Sequence, residues 1–235
     1  MKNKKVIVIT GTRKGLGLEL AKYYTSKGFI VEGCSRKTTD ISSKLYHHST
    51  IDITDEESVR LWIKDVHYRR KKIDYLINNA GLAPAAFPVL LNNKYILKKV
   101  FDTNLIGTAI VSSEASKVML KKKFGRIINI SSMSVGLHQE GTSAYSSSKA
   151  AVVEYTKIMA KELSKINITC NIISISMFPS DAFYELGDNI IIKAKEKLIY
   201  KELLKIEEIC NVINFFIKDE SKVITGQEIC LGMVS

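Results

Sequence analysis

The chain has 235 residues, 46% hydrophobic and 25% charged, which suits one sizeable core and excludes a disordered or fibrous chain. Thirty-five Lys and Arg against 24 Asp and Glu leave a formal charge of +11, which admits an acidic partner, but no nucleic-acid recognition motif accompanies it. No apolar run approaches the ~18 residues of a membrane span, and the scattered Cys34, Cys170, Cys210 and Cys230 lack CxxC or histidine companions, so we expect reduced thiols, no metal and a cytoplasmic protein.

In chain order, Val6–Ile9 reads as a buried strand and Gly15–Lys27 as a helix. Phe29–Cys34 is a second strand and Tyr46–Thr50 a weaker third. Asp55–Tyr68 has helical periodicity, with Thr54 as N-cap and Glu57 completing a capping box. Ile73–Asn78 is a strand. Tyr95–Lys121 is a long helical stretch that Gly107 interrupts. Arg126–Ser131 is a strand, Ser143–Ser164 a helix and Ile168–Ile175 a strand. Helical segments over Ile190–Leu204 and Glu207–Phe216 precede a last strand, Glu228–Leu231. Arg69–Lys72 and Lys121–Lys123 each end a predicted helix, where the helix dipole favours cations.

Strands that are continuously apolar are buried on both faces. Interleaved with helices, they imply an α/β fold: a Rossmann-type, doubly wound parallel sheet of about seven strands flanked by helices. No linker, repeat or low-complexity tract divides the chain, so residues 1–235 read as one domain.

Between the first strand and helix stands Thr10-Gly11-Thr12-Arg13-Lys14-Gly15-Leu16-Gly17. Gly11, Gly15 and Gly17 suit a tight turn, close approach of backbone to a pyrophosphate and close helix packing. The helix N-terminus then offers N–H donors to the anion. A dinucleotide with a free ribose diol calls for an acid at the end of the second strand. That end reads Gly33-Cys34-Ser35-Arg36-Lys37, a hydroxyl and two cations, with Arg13 and Lys14 in the glycine turn nearby. A 2′-phosphate needs such partners, so NADP(H) is the expected cofactor and NAD(H) the second choice. Glu32 is a candidate ribose acceptor read as pointing away from the Cys34 side.

Tyr145 and Lys149 lie four apart on one helix face, and Ser132 ends the preceding strand. Together they offer an acid, a cation and a hydroxyl donor around one carbonyl. The phenol, with an ordinary pKa of about 10, is protonated at neutral pH and suits reduction. The chemistry is hydride transfer between a nicotinamide and a carbonyl or secondary alcohol.

These motifs resemble the short-chain dehydrogenase/reductase family in its compact form, over nearly the whole chain. Thr10–Gly17 matches its glycine motif. The resemblance implies adenine contacts for Asp52 and Ile53. It implies that Asn78-Asn79-Ala80-Gly81 braces the sheet, with Asn79, Ala80 and Gly81 beside the cofactor. Asn104 matches a catalytic asparagine, implied to hold a water linking Lys149 to solvent. Ser132, Tyr145 and Lys149 match the catalytic set, Lys149 also bonding the nicotinamide ribose. The family's Pro-Gly after the sixth strand is replaced by Ile175-Ser176. Ser180 follows downstream, where the family often has a carboxamide-binding threonine. The resemblance further implies a homodimer or homotetramer. In size and pattern the chain is similar to the 3-oxoacyl-[acyl carrier protein] reductases, which would give the basic surface an acidic carrier protein as partner. Small ketones, sugars and polyketide-like substrates are the other options for a small carbonyl or alcohol substrate, and no nucleic acid or membrane partner is expected.

Leu82–Phe87, Gly136–Gly141 and Met177–Tyr184 are candidate substrate walls, with Phe178, Phe183 and Tyr184 as an apolar face. His138 is a candidate contact; His47 and His48 read as structural. The alternative is a non-catalytic NADP-binding regulatory Rossmann protein, a type that usually loses the tyrosine or the lysine.

Overall fold

The computed structural model describes residues 4–232 apart from 85, 87, 181, 182, 184–190, 193–195, 197 and 198. Residues 190, 193–195, 197 and 198 of the helix expected over Ile190–Leu204 lie outside the described residues, as does Tyr184, while residues 199–204 form bends and coil rather than helix. The described strands are β1 (Val6–Thr10), β2 (Ile30–Ser35), β3 (Tyr46–Thr50), β4 (Tyr75–Asn78), β5 (Gly125–Ser132), β6 (Ile168–Ile175) and β7 (Glu228–Leu231). They form one parallel sheet in the order β3-β2-β1-β4-β5-β6-β7. The described helices are α1 (Gly15–Ser26), α2 (Glu56–Arg70), α3 (Lys94–Phe101), α4 (Gly107–Leu120), α5 (Ser134–Leu137), α6 (Ser143–Leu163) and α7 (Ile206–Ile217).

Burial explains the apolar strands. Val6, Ile7, Val8 and Ile9 of β1 are all at most 1% exposed, because helices cover both faces. Ile7 and Ile9 pack with Leu20 and Tyr24 of α1 and Ile213 of α7. Val8 faces the other way, onto Val59 and Ile63 of α2 and Val111 of α4. The strand order reverses at β1, whose neighbours are β2 and β4. In doubly wound sheets that reversal leaves a crevice beyond the strand ends, where ligands bind.

Three local expectations are corrected. The N-cap of α2 is Asp55, whose carboxylate accepts from Ser58 N at 3.2 Å. Thr54 instead donates to Asp52 Oδ1, and Glu57 pairs with Arg60. The long stretch breaks at a π-helical turn, Asp102–Ile106, not at Gly107. Gly107 opens α4 as a packing gap: a Cβ there would sit 2.8 Å from Ile53.

Glu32 is the third correction. It shares a face with Cys34, as period-two alternation requires, and is fully buried. Arg70 Nε and Arg69 Nη2 hold its carboxylate at 2.6 and 2.7 Å. These two arginines of the basic cluster are therefore committed to an internal ion pair rather than to the helix dipole alone. Lys72 pairs with Asp74 at 2.8 Å.

Candidate active site

The crevice is a cleft of about 890 Å³ running from the ends of β1 and β2 to Tyr145. Its floor is the glycine turn. Gly11 and Gly15 have φ of +76° and +58°, the left-handed region where a side chain is strained. At Gly17 a Cβ would sit 2.2 Å from Gly11 O and 2.4 Å from Asn79 Nδ2. Gly17 thus lies under the turn, allowing α1 to close on β4, and is not on the cleft wall. Lys14, the N-cap of α1, makes no side-chain cap, and the first turn carries no acid. The N–H groups of that turn therefore open on the cleft unneutralised, a cradle that fits a pyrophosphate.

β4 closes the other side. Thr10 Oγ1 accepts from Asn79 N at 3.1 Å and Ala80 N at 3.0 Å, and Asn79 Nδ2 donates to Thr10 O at 3.0 Å. This clip holds Asn79, Ala80 and Gly81 against the glycine turn. Behind it, Asn78 Nδ2 donates to Ser112 Oγ and Asn129 Oδ1, each at 2.8 Å, and Asn129 Nδ2 donates to Thr156 Oγ1 at 2.7 Å. The buried polar line ties β4 and β5 to α6, the helix that carries the tyrosine.

At the distal end stand Arg13, Lys14, Ser35, Arg36 and Lys37, with Asp52 and Ile53 opposite. Ser35 Oγ donates to Lys37 O at 2.6 Å, so this hydroxyl shapes the turn around Arg36. The Asp52 carboxylate accepts from Thr54 N at 3.0 Å. Ser180 lies over the glycine turn, its Cβ 3.4 Å from where a Gly15 Cβ would stand, and its Oγ accepts from Phe183 N at 3.2 Å.

The residues expected to react stand at the proximal end. Tyr145 is half-buried at the cleft wall, and this desolvation raises its phenol pKa, while a hydrogen bond from Ser132 opposes the rise. Lys149 is 5% exposed. Burial pushes its ammonium down to about 8, and Nζ donates to Ile130 O at 2.8 Å. Nζ stands 6.0 Å from the Tyr145 ring centroid. Asn104, 1% exposed, sits in the π-helical turn. Its Oδ1 accepts from Leu82 N at 2.7 Å, and its Nδ2 donates to Leu82 O and to Ser148 Oγ. The side chain braces the end of β4 against α6. A Cβ on Gly81 would lie 3.4 Å from both Asn104 Oδ1 and Lys149 Nζ, so the two converge behind that glycine.

A second hollow of about 540 Å³ is lined by Gln139, Glu140 and Gly141 of one expected wall, and opposite them by Ala86 of another together with Pro88 and Val89 beyond it, while Leu82, Ala83 and Pro84 line the main cleft. Phe178 and Phe183 line the main cleft as well. His138 is exposed and ends α5 with φ +48°. Ser176, at the altered exit of β6, donates its N–H to Leu231 O at 3.1 Å, while its Oγ faces Gly232. The sequence reading missed the contribution of Thr103 to the cleft, and the bonds that β3 sends beneath it. Tyr46 and His48, two apart on β3 and so on one face, were the available signal.

Sheet order, cleft and glycine turn define a Rossmann-type doubly wound α/β protein. The short chain dehydrogenase family model matches residues 5–190. The 3-oxoacyl-[acyl-carrier-protein] reductase FabG of Buchnera aphidicola is 30% identical, over 96% of this chain and 95% of that protein. Among solved structures, 4-hydroxyisoleucine dehydrogenase complexed with NADH superposes with a TM-score of 0.87 at 28% identity, covering 98% of both chains. ElxO with NADP bound gives a TM-score of 0.90 at 24% identity, over 97% of both, a likeness of fold. The chain belongs to the short-chain dehydrogenase family and is an oxidoreductase.

Proposed function

We propose that this protein is an NADPH-dependent reductase that converts a carbonyl to a secondary alcohol, with Tyr145 as general acid. One observation carries the cofactor reading. The only carboxylate on β2, Glu32, is buried and held by Arg69 and Arg70, while the strand end presents Arg36 and Lys37 to the cleft. An adenosine ribose at that strand end meets two cations and no carboxylate from β2, which favours a 2′-phosphate. The open α1 N-terminus and the positive-φ glycines fit the pyrophosphate.

NADPH supplies the hydride. Tyr145 delivers its phenolic proton to the carbonyl oxygen as the C–O bond loses its double-bond character, leaving a phenolate. Ser132 hydrogen-bonds the same oxygen and lowers the cost of its developing charge. The Lys149 ammonium favours the phenolate and restores its proton. The phenol, raised above its ordinary value by desolvation, is protonated at neutral pH, the state a proton donor requires. Asn104 holds the backbone at Leu82 and so keeps Gly81 against Lys149.

The finer proposal is a 3-oxoacyl substrate delivered by an acidic acyl carrier protein. The similarity to FabG and the +11 charge support it. Among the described residues no helix is long and apolar enough to cross a membrane, and we place the enzyme in the cytoplasm. Exposed Ile106, Leu120 and Ile158 favour assembly as a homodimer or homotetramer. The joint presence of Tyr145, Lys149 and Ser132 around one point argues against a purely regulatory protein.

The test is fluorescence titration with NADPH and NADH, then NADPH oxidation against ketones including a 3-oxoacyl thioester. Tight NADPH binding with turnover supports the reading; binding without turnover of any ketone counts against it. Arg36→Ala is expected to weaken NADPH by about tenfold or more, as loss of a charge-assisted contact does, with little change for NADH. Equal weakening of both would move recognition of the 2′-phosphate away from Arg36.

A further inference from the structure

A chain of hydrogen bonds lies beneath the cationic end of the cleft. Thr12 Oγ1 and Tyr46 Oη are 2.7 Å apart, and Tyr46 Oη and His48 Nδ1 are also 2.7 Å apart. His48 Nε2 lies 3.0 Å from Lys37 O and 3.2 Å from Ser35 Oγ. Proton directions follow from the last link. A backbone carbonyl only accepts, so Nε2 carries the hydrogen and donates to Lys37 O. Nδ1 then accepts from Tyr46, whose oxygen accepts from Thr12. Burial lowers the imidazole pKa, consistent with this neutral form.

The chain joins the two turns that carry the cations. Thr12 directly precedes Arg13 and Lys14. Arg36 lies between Ser35 and Lys37, and the Lys37 carbonyl is pinned by two donors, Ser35 Oγ and His48 Nε2. Gly11 N and Thr12 N both donate to Cys34 O, at 2.8 and 3.1 Å, completing the link at backbone level. Gly33 makes room for the relay: a Cβ there would stand 2.4 Å from Tyr46 Oη and 2.7 Å from Thr12 Oγ1. Thr12 is wholly buried. None of Thr12, Tyr46 and His48 lines the cleft, whereas Arg13, Lys14, Arg36 and Lys37 do.

We propose that Thr12, Tyr46 and His48 form a positioning relay by which β3 holds the two cationic turns at one spacing, and that this spacing sets selectivity for a 2′-phosphorylated dinucleotide. The inference rests on the NADPH reading above. A phosphate engaged by two turns at once is sensitive to their separation, because charge-assisted hydrogen bonds weaken steeply away from their preferred length and angle. A dinucleotide without the 2′-phosphate makes no such demand. Its pyrophosphate would rest on the α1 N-terminus, whose Gly17 packs on Asn79, a residue bonded to Thr10 and not to any member of the relay.

The test is direct binding, with no turnover needed. Dissociation constants for NADPH, NADH, 2′,5′-ADP and 5′-AMP are measured for the wild type, Tyr46→Phe, His48→Ala and His48→Gln. A wild type that prefers NADPH and 2′,5′-ADP upholds the NADPH reading; one that does not overturns that reading and the relay with it. Given that preference, Tyr46→Phe and His48→Ala are expected to weaken the 2′-phosphorylated ligands by about tenfold and to leave the other two unchanged. His48→Gln, whose amide replaces the Nε2 donor to Lys37 O, is expected to recover most of the loss. A selectivity ratio that stays at the wild-type value in both Tyr46→Phe and His48→Ala overturns the relay while leaving the NADPH reading intact. Parallel weakening of all four ligands does the same and assigns the three residues to the fold alone. Tyr46→Phe keeps the ring and removes one hydroxyl, so it reports even where His48→Ala fails to fold.

Discussion

Lys149 offers a quantitative check on the site that needs no substrate. Burial holds its pKa at about 8, against 10.5 for the ordinary group. Between those values the unfolded chain binds more protons than the folded one, so this group's contribution makes stability rise with pH. Below about pH 8 both states carry the cation and the cost of burying it is present in full. Above about pH 10.5 neither carries it and the cost is gone. A gap of about 2.5 pH units at about 1.4 kcal/mol each corresponds to about 3 kcal/mol. Lys149→Met keeps the apolar stem and removes the charge. It also deprives Ile130 O of a donor now at 2.8 Å, a loss of about 1–2 kcal/mol. The variant is therefore expected to be more stable than wild type by about 1–2 kcal/mol at pH 7. That advantage shrinks through pH 8 to 10 and then reverses, while turnover is lost at every pH. Urea unfolding of both proteins at one-unit steps from pH 7 to about 10 gives the difference directly, and other titrating groups cancel in it. A difference that stays flat with pH would refute the account of Lys149 as a buried cation.

Other expectations follow from the same geometry. Tyr145→Phe removes the proton donor and should lower turnover by about 10²–10⁴-fold. NADPH affinity should barely change, because the ring remains; retained turnover in steady-state assays would strip Tyr145 of its role. Glu32→Gln takes the anionic partner from Arg70 and leaves Arg69 only its pair with Asp65, and should cost about 3 kcal/mol of stability in urea unfolding. The NADPH-to-NADH preference should be unaltered, and a shift in that preference without loss of stability would make Glu32 a cofactor residue after all.

The fold was legible because its signals are local. The continuous apolar runs at Val6–Ile9 and Ile168–Ile175 announce strands covered on both faces, and the helical segments between them force parallel crossovers. The grouping of the proposed catalytic residues was legible for a similar reason: Tyr145 and Lys149 are four apart, which places them on one helix face whatever surrounds them. Less was visible where a residue's task depends on another element. The break before α4 looked like the work of Gly107, but that glycine accommodates Ile53, more than fifty positions earlier. Arg69 and Arg70 looked like helix-end cations until β2 supplied Glu32 beneath them.

By itself, then, the sequence determined the class of fold, the order of its elements, the glycine turn and the residue types available for catalysis, since each depends on periodicity, turn chemistry or spacing within a few residues. Tertiary structure alone decided which charges remain available to a ligand. Glu32 and Arg36 lie four apart on one strand and its exit, yet one is buried under two arginines and the other opens on the cleft. It alone also set the state of the reactive groups, raising the Tyr145 phenol and lowering the Lys149 ammonium. Those outcomes depend on how completely distant elements exclude water from a side chain, and no stretch of sequence carries that information on its own.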